Sequence, residues 1–101
     1  MNNILFEGIY SAIFSIYDEN MNVIEESVKK LIEHGEKNGL RGFYVGGNTG
    51  ECTVLPNRTR KQMLECVKKY ASPTSKIIAH VGAGHLDDVV DLIQHANELG
   101  V

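Results

Sequence analysis

Cysteine is scarce in this chain, with two among 101 residues. Cys52 and Cys66 cannot build a disulfide framework, and their separation is not that of a metal knuckle. A reducing, cytoplasmic setting fits such usage. Basic charge is in short supply too. Ten Lys and Arg stand against 13 Asp and Glu, a formal net charge of −3. Without a basic face, neither nucleic acid nor an anionic membrane surface is an expected partner. No apolar run approaches the roughly 20 residues of a membrane span. The opening MNNILFEGIY has no basic segment followed by an apolar one, so no secretory leader is read there. Low-complexity tracts, linkers and charge blocks are missing as well. What remains is 43% hydrophobic and 23% charged, a composition that folds as one domain rather than staying disordered.

Short apolar runs alternate with helical patterns. Residues 8–15 read as a strand buried on both faces. Residues 22–38 read as a helix with Asn22 as N-cap, Glu25 completing a capping-box-like pair, and Ile24, Val28, Leu31, Ile32 and Gly35 on one buried stripe. Gly39 supplies the stop. Residues 42–46 read as a second strand running into a glycine-rich loop. Residues 57–71 read as the next helix, capped by Asn57, with Met63, Leu64, Val67 and Ala71 on one face and Ser72-Pro73 ending it. Residues 76–81 read as the third strand. Residues 86–99 read as the third helix, with Val89, Ile93, Ala96 and either Leu92 or Leu99 inward and Gly100 past its end. Val101 is placed to begin a fourth strand. The order β-α-β-α-β-α with short connections predicts a parallel α/β sheet. It fits an open doubly wound sheet or the start of a (β/α)8 barrel, and in both the chemistry collects at the C-terminal ends of the strands.

Three segments fall at those ends: Ser15-Ile16-Tyr17-Asp18, Gly46-Gly47-Asn48-Thr49-Gly50-Glu51 and Gly82-Ala83-Gly84-His85. The second carries most information. Its glycines allow positive φ and close approach of a ligand, and successive N–H groups with the Thr49 hydroxyl can cradle a carboxylate or phosphate. A tight turn whose glycines serve geometry alone is the competing reading. It is not a P-loop, because no Lys-Ser/Thr follows the last glycine, nor a dinucleotide fingerprint, because the spacing differs.

The segment Phe43-Tyr44-Val45-Gly46-Gly47-Asn48-Thr49-Gly50-Glu51 resembles the Y-V-G-G-S-T-G-E stretch of the N-acetylneuraminate lyase branch of the dihydrodipicolinate synthase/N-acetylneuraminate lyase family. In register with it, residues 8–14 resemble the family's first strand, Tyr17-Asp18-Glu19-Asn20 its F-D-E-N, and residues 76–82 its K-L-I-A-H-V-G. The resemblance covers essentially the whole chain. It implies α/β architecture as the N-terminal three β-α units of a (β/α)8 TIM barrel, incomplete in this chain, since a closed barrel takes about 250 residues. Residues 1–101 would then be one partial barrel domain.

The resemblance further implies class I aldolase chemistry. The complete enzyme would cleave a 2-keto sugar acid, such as N-acetylneuraminate, to pyruvate and N-acetylmannosamine through a lysine Schiff base. Asn48, Thr49 and Gly47 would hold the keto-acid carboxylate, Ser11 and Ala12 would line the pocket floor, and Gly46, Gly50 and Glu51 would shape the loop. The family's Schiff-base lysine and catalytic tyrosine lie on later strands, so no catalytic residue is expected in this chain and the isolated chain is expected to be inactive. No cofactor and no metal are implied. The expected partners are a small 2-keto acid or pyruvate, and the remaining barrel segment or a second copy. A non-catalytic module docking on a full-length paralogue, and a dihydrodipicolinate synthase-type member, are the alternatives. Two features depart from the family: Asn48 stands where Ser or Thr is common, and Ser15-Ile16-Tyr17 replaces T-P-F.

Other chemistry-bearing residues receive bland readings. Cys52 reads as a small buried loop residue and Cys66 as packing. His80 reads as a hydrogen-bonded strand histidine, His85 as a cap of the third helix, and His34 as an exposed helix residue. Asp91 and His95, four apart, read as a surface pair rather than metal ligands. Lys76 begins its strand, at the opposite face from the loops, and Lys29, Lys30, Lys37, Lys61, Lys68 and Lys69 lie on helices.

Overall fold

A computed structural model describes residues 7–101. Residues 1–6, part of the stretch read for a leader, lie outside it. The elements run β1 (Tyr10–Ala12), α1 (Glu25–Lys37), β2 (Gly42–Val45), α2 (Asn57–Tyr70), β3 (Lys76–Ala79) and α3 (Leu86–Glu98). The three strands form one parallel sheet in the order β1-β2-β3. Ala12 pairs with Tyr44, and Tyr44 with Ile78. Such an order begins both a barrel and one half of an open wound sheet.

Side chains alternate across this sheet. Phe43 and Val45 on β2, with Ile77 and Ala79 on β3, face the helices and join one core with Ile13, Val28, Ile32, Met63, Leu64, Val67 and Ala96. Phe43, Ile32, Val28 and Val67 are almost fully buried, each worth about 1.5–3 kcal/mol against exposure. Gly35 lets α1 sit close to the sheet, because a Cβ there would lie 2.7 Å from Leu40 and 3.3 Å from the Phe43 ring.

Several local expectations are corrected. The ladder of β1 is three residues long, not eight. Ile13 and Ile16 still pack into the core beyond it, so the apolar signal outlasts the pairing. The N-cap position of α1 is Ile24, with no side-chain cap. Asn22 instead accepts from the Arg58 guanidinium at 2.8 Å, while Glu25 accepts from Lys69 and Tyr70. Long-range partners outcompete the local capping box. Asn57 is the first residue of α2 rather than its cap, which is Pro56, and its amide reaches α3 at Asp91. His85 occupies the N-cap position of α3 without a side-chain cap bond. On α3, Leu92 and Ala96 are buried but Ile93 is 48% exposed. Ala96 and Leu92 keep the expected stripe, while Ile93 overlooks the free edge of β3, where no element among the described residues covers it.

Candidate functional site

A cleft of about 240 Å3 opens at the C-terminal ends of the strands, lined by Ala12, Tyr44, Gly47, Asn48, Thr49, Gly50 and His80. Ala12 sits on the side of the sheet away from the helices. Ser11 pairs with Phe43, the helix-facing position, and does not line the cleft.

The β2–α2 loop supplies most of the wall. Gly46 turns the chain at φ 78°, a conformation that costs an ordinary residue about 1–2 kcal/mol. The Glu51 amide donates to the Asn48 carbonyl at 2.9 Å and the Cys52 amide to Gly47 at 3.2 Å, closing a compact turn. A Cβ on Gly50 would come within 3.1 Å of Gly46, so the loop folds against its own start. Ser15 Oγ donates to the Gly50 carbonyl at 2.7 Å and ties the β1 end to this turn. Asn48 and Thr49 are exposed at its tip. Among the described residues no backbone carbonyl accepts from their amides. Two free N–H groups beside a hydroxyl can receive an anion.

Glu51 takes a left-handed backbone at φ 63°, and its carboxylate accepts from the Tyr17 hydroxyl at 3.0 Å. That hydrogen bond, with burial and the carboxylate charge adding to it, raises the Tyr17 pKa above the ordinary phenol value. Glu51 thus points to the β1 loop and not into the cleft.

Behind the cleft lies Arg60, a residue that motif reading passes over. It is 6% exposed. Its guanidinium donates to the carbonyls of Gly82 at 2.7 Å, His80 at 3.0 Å and Gly46 at 3.4 Å, joining the ends of β2 and β3. Burial lowers its pKa, with Cys52 and Asp88 acting the other way. The signal for it was present: position 60 precedes Leu64 and Val67 on the inward stripe of α2. His80 Nδ1 lies 3.0 Å from the Gly46 carbonyl and 3.3 Å from Arg60. The carbonyl can only accept and the guanidinium can only donate, so the two contacts make opposite demands on the Nδ1 proton. The His80 ring stands 6.1 Å from that of Tyr44. Asn48, Arg60 and His80 also wall a larger outer cleft of about 760 Å3 at the start of α2 and α3.

The remaining candidates sit elsewhere. Asp91 pairs with Lys61 at 2.7 Å and His95 with Glu65 at 2.7 Å, so both bind α2 instead of each other. No metal-binding group of three or more ligands occurs among the described residues. Cys66 is buried, which pushes its thiol up to about 11. Cys52 is only partly buried. None of the residues lining the cleft is a lysine. No helix among the described residues is long and apolar enough to cross a membrane.

Residues 5–101 match the Dihydrodipicolinate synthetase family. The chain belongs to that family. Among relatives of this family member, the N-acetylneuraminate lyase of Mediterraneibacter gnavus is 36% identical over 95% of this chain and 30% of its own length. That of Actinobacillus pleuropneumoniae is 34% identical over 92% of this chain and 32% of its own. In structure, the sialic acid aldolase of Ruminococcus gnavus superposes with a TM-score of 0.89 at 36% identity, covering 96% of this chain and 32% of the other. A dihydrodipicolinate synthase from Bacillus anthracis does so at 0.84 and 28% identity, covering 95% and 33%. The chain therefore spans about a third of the length of the relatives it matches.

Proposed function

We propose that this chain forms the carboxylate-binding corner of an N-acetylneuraminate lyase-type aldolase, as the first three β-α units of a (β/α)8 barrel. The observation that carries the reading is the pair of free amides at Asn48 and Thr49 beside the Thr49 hydroxyl, in a cleft at the strand ends. Three of the named relatives are N-acetylneuraminate lyases or a sialic acid aldolase by name, and a 2-keto acid presents the carboxylate such a cradle takes. Holding that carboxylate orients the neighbouring ketone for attack. The amine that attacks must be a desolvated lysine. All seven lysines of this chain lie outside the cleft, so the Schiff-base lysine would come from the rest of the barrel.

The partner follows from the free edge of β3. Ile78, Val81, Ile93 and Val101 line an open apolar hollow of about 410 Å3 there. A fourth strand and its helix, in the same polypeptide or another, would cover it. We assign a cytoplasmic setting on cysteine usage.

Titration of the 15N-labelled chain with pyruvate, followed by borohydride treatment and mass spectrometry, tests the reading. The expected result is selective shifts of the Asn48 and Thr49 amides without a covalent adduct. A stoichiometric pyruvate adduct on this chain, or shifts confined to residues outside the cleft, would overturn it.

A further inference from the structure

Arg60 Nε and His95 Nδ1 are buried and have no hydrogen-bond partner among the described residues. Every other polar atom of the two side chains is engaged. The Arg60 terminal nitrogens donate to carbonyls of Gly46, His80 and Gly82, and His95 Nε2 meets the Glu65 carboxylate at 2.7 Å. An unsatisfied buried donor or acceptor costs about 1–3 kcal/mol. Two on adjacent helices therefore call for a shared explanation.

They have a shared space. Arg60 and His95 both line one small cavity of about 20 Å3 between α2, α3 and the ends of β2 and β3, whose other walls are chiefly apolar, Val45, Leu64 and Leu92 among them, with His80 the remaining polar side chain. Gly46 also borders it, and a Cβ on Gly46 would approach Arg60 Nε to 4.0 Å. A cavity needs about 10–15 Å3 and two or more polar partners to hold a water. This one is large enough for a single molecule and too small for an organic ligand.

We propose that one internal water occupies this cavity, accepting from Arg60 Nε–H and donating to His95 Nδ1. The assignment fixes the histidine. Nδ1 is the unprotonated acceptor, and Nε2–H donates to the ionised Glu65. The result is a continuous strut. It runs from Glu65 at the surface of α2, through His95 on α3 and the water, to Arg60 and the carbonyls of Gly46 and Gly82. The two loops that border the cleft are thereby anchored to α3 as well as to α2. The site does not depend on what the cleft binds.

A high-resolution crystal structure of the full chain, with a long-range 1H–15N spectrum of the histidine rings in solution, tests the proposal. The expected result is an ordered water within hydrogen-bond distance of both atoms, and a His95 ring protonated on Nε2 alone. A cavity without density where other internal waters are clear, or a proton on His95 Nδ1, would overturn it. In His95→Leu the water loses its acceptor and its density should vanish. The same water persisting there would refute the bridge, and if that variant fails to fold the ring tautomer of the parent chain decides.

Discussion

The Tyr17 hydroxyl donates to the Glu51 carboxylate at 3.0 Å across 34 residues of sequence. This contact joins the β1 loop to the glycine-rich loop, at a residue whose own backbone is left-handed. It raises the Tyr17 pKa chiefly through the hydrogen bond to an anion. Replacing Glu51 by Gln removes the charge and keeps the shape. Tyr17 should then ionise at lower pH than in the parent chain, read from its ring resonances in a pH titration. An unchanged midpoint would show that the contact does not form in solution.

Glu36 on α1 makes a comparable tie to the α2–β3 connection. Its carboxylate accepts from the Ser72 amide at 2.8 Å and from the Ser75 hydroxyl. Burial pushes its pKa up, but the Ser75 and Ser72 donors outweigh it and the folded pKa lies below the ordinary value. A depressed carboxyl adds stability above its unfolded pKa, near 4.5, and that stability is lost as pH falls through the folded value. Acid unfolding of Glu36→Gln should therefore be less steep below about pH 4.5, and the variant should be about 1 kcal/mol less stable at neutral pH. Urea titrations at several pH values would measure both.

Thr59 is fully buried, and its hydroxyl donates to the Met21 carbonyl at 2.6 Å. Valine keeps the shape and removes the donor. Thr59→Val should cost about 1 kcal/mol without changing the denaturant slope, because the compactness of both end states is preserved.

Gly42 is required by packing rather than by its backbone angle. A Cβ there would meet the Lys76 carbonyl at 2.3 Å and the Tyr10 ring at 2.6 Å. The carbonyl belongs to the β2–β3 pairing and cannot retreat cheaply. Gly42→Ala should destabilise the fold by about 3 kcal/mol, with loss of amide protection concentrated on β3.

The six elements were legible because each carries its own period of apolar residues, and the glycine loop because residue type and backbone demand coincide there. What the sequence hid was long-range. Asn22 and Asn57 look like caps, but Arg58 and the α3 residue Asp91 claim their side chains. Periodicity set Ile93 inward and left Leu92 and Leu99 open, but beside the free edge of β3 it is Leu92 that is buried and Ile93 that is exposed. Arg60 escaped notice because a charged residue on a helix reads as solvated, although its stripe position is inward. Its partners are carbonyls, which leave no mark in sequence.

The cradle itself can be tested by separating side chain from backbone. Binding of pyruvate would use the amides of Asn48 and Thr49 together with the Thr49 hydroxyl. Asn48→Ser keeps both amides and should leave the pyruvate Kd within about two-fold, since the side chain there contributes no required donor. Thr49→Val keeps the amides and removes one hydrogen bond to a charged acceptor, worth about 1.4 kcal/mol, so Kd should rise about ten-fold. Thr49→Pro also removes an amide and should weaken binding further. The order Asn48→Ser, Thr49→Val, Thr49→Pro, measured by chemical-shift titration of the folded variants, is the expected one. Equal losses in Asn48→Ser and Thr49→Val would mean that the Asn48 side chain carries a contact, and no further loss in Thr49→Pro would mean that the Thr49 amide does not.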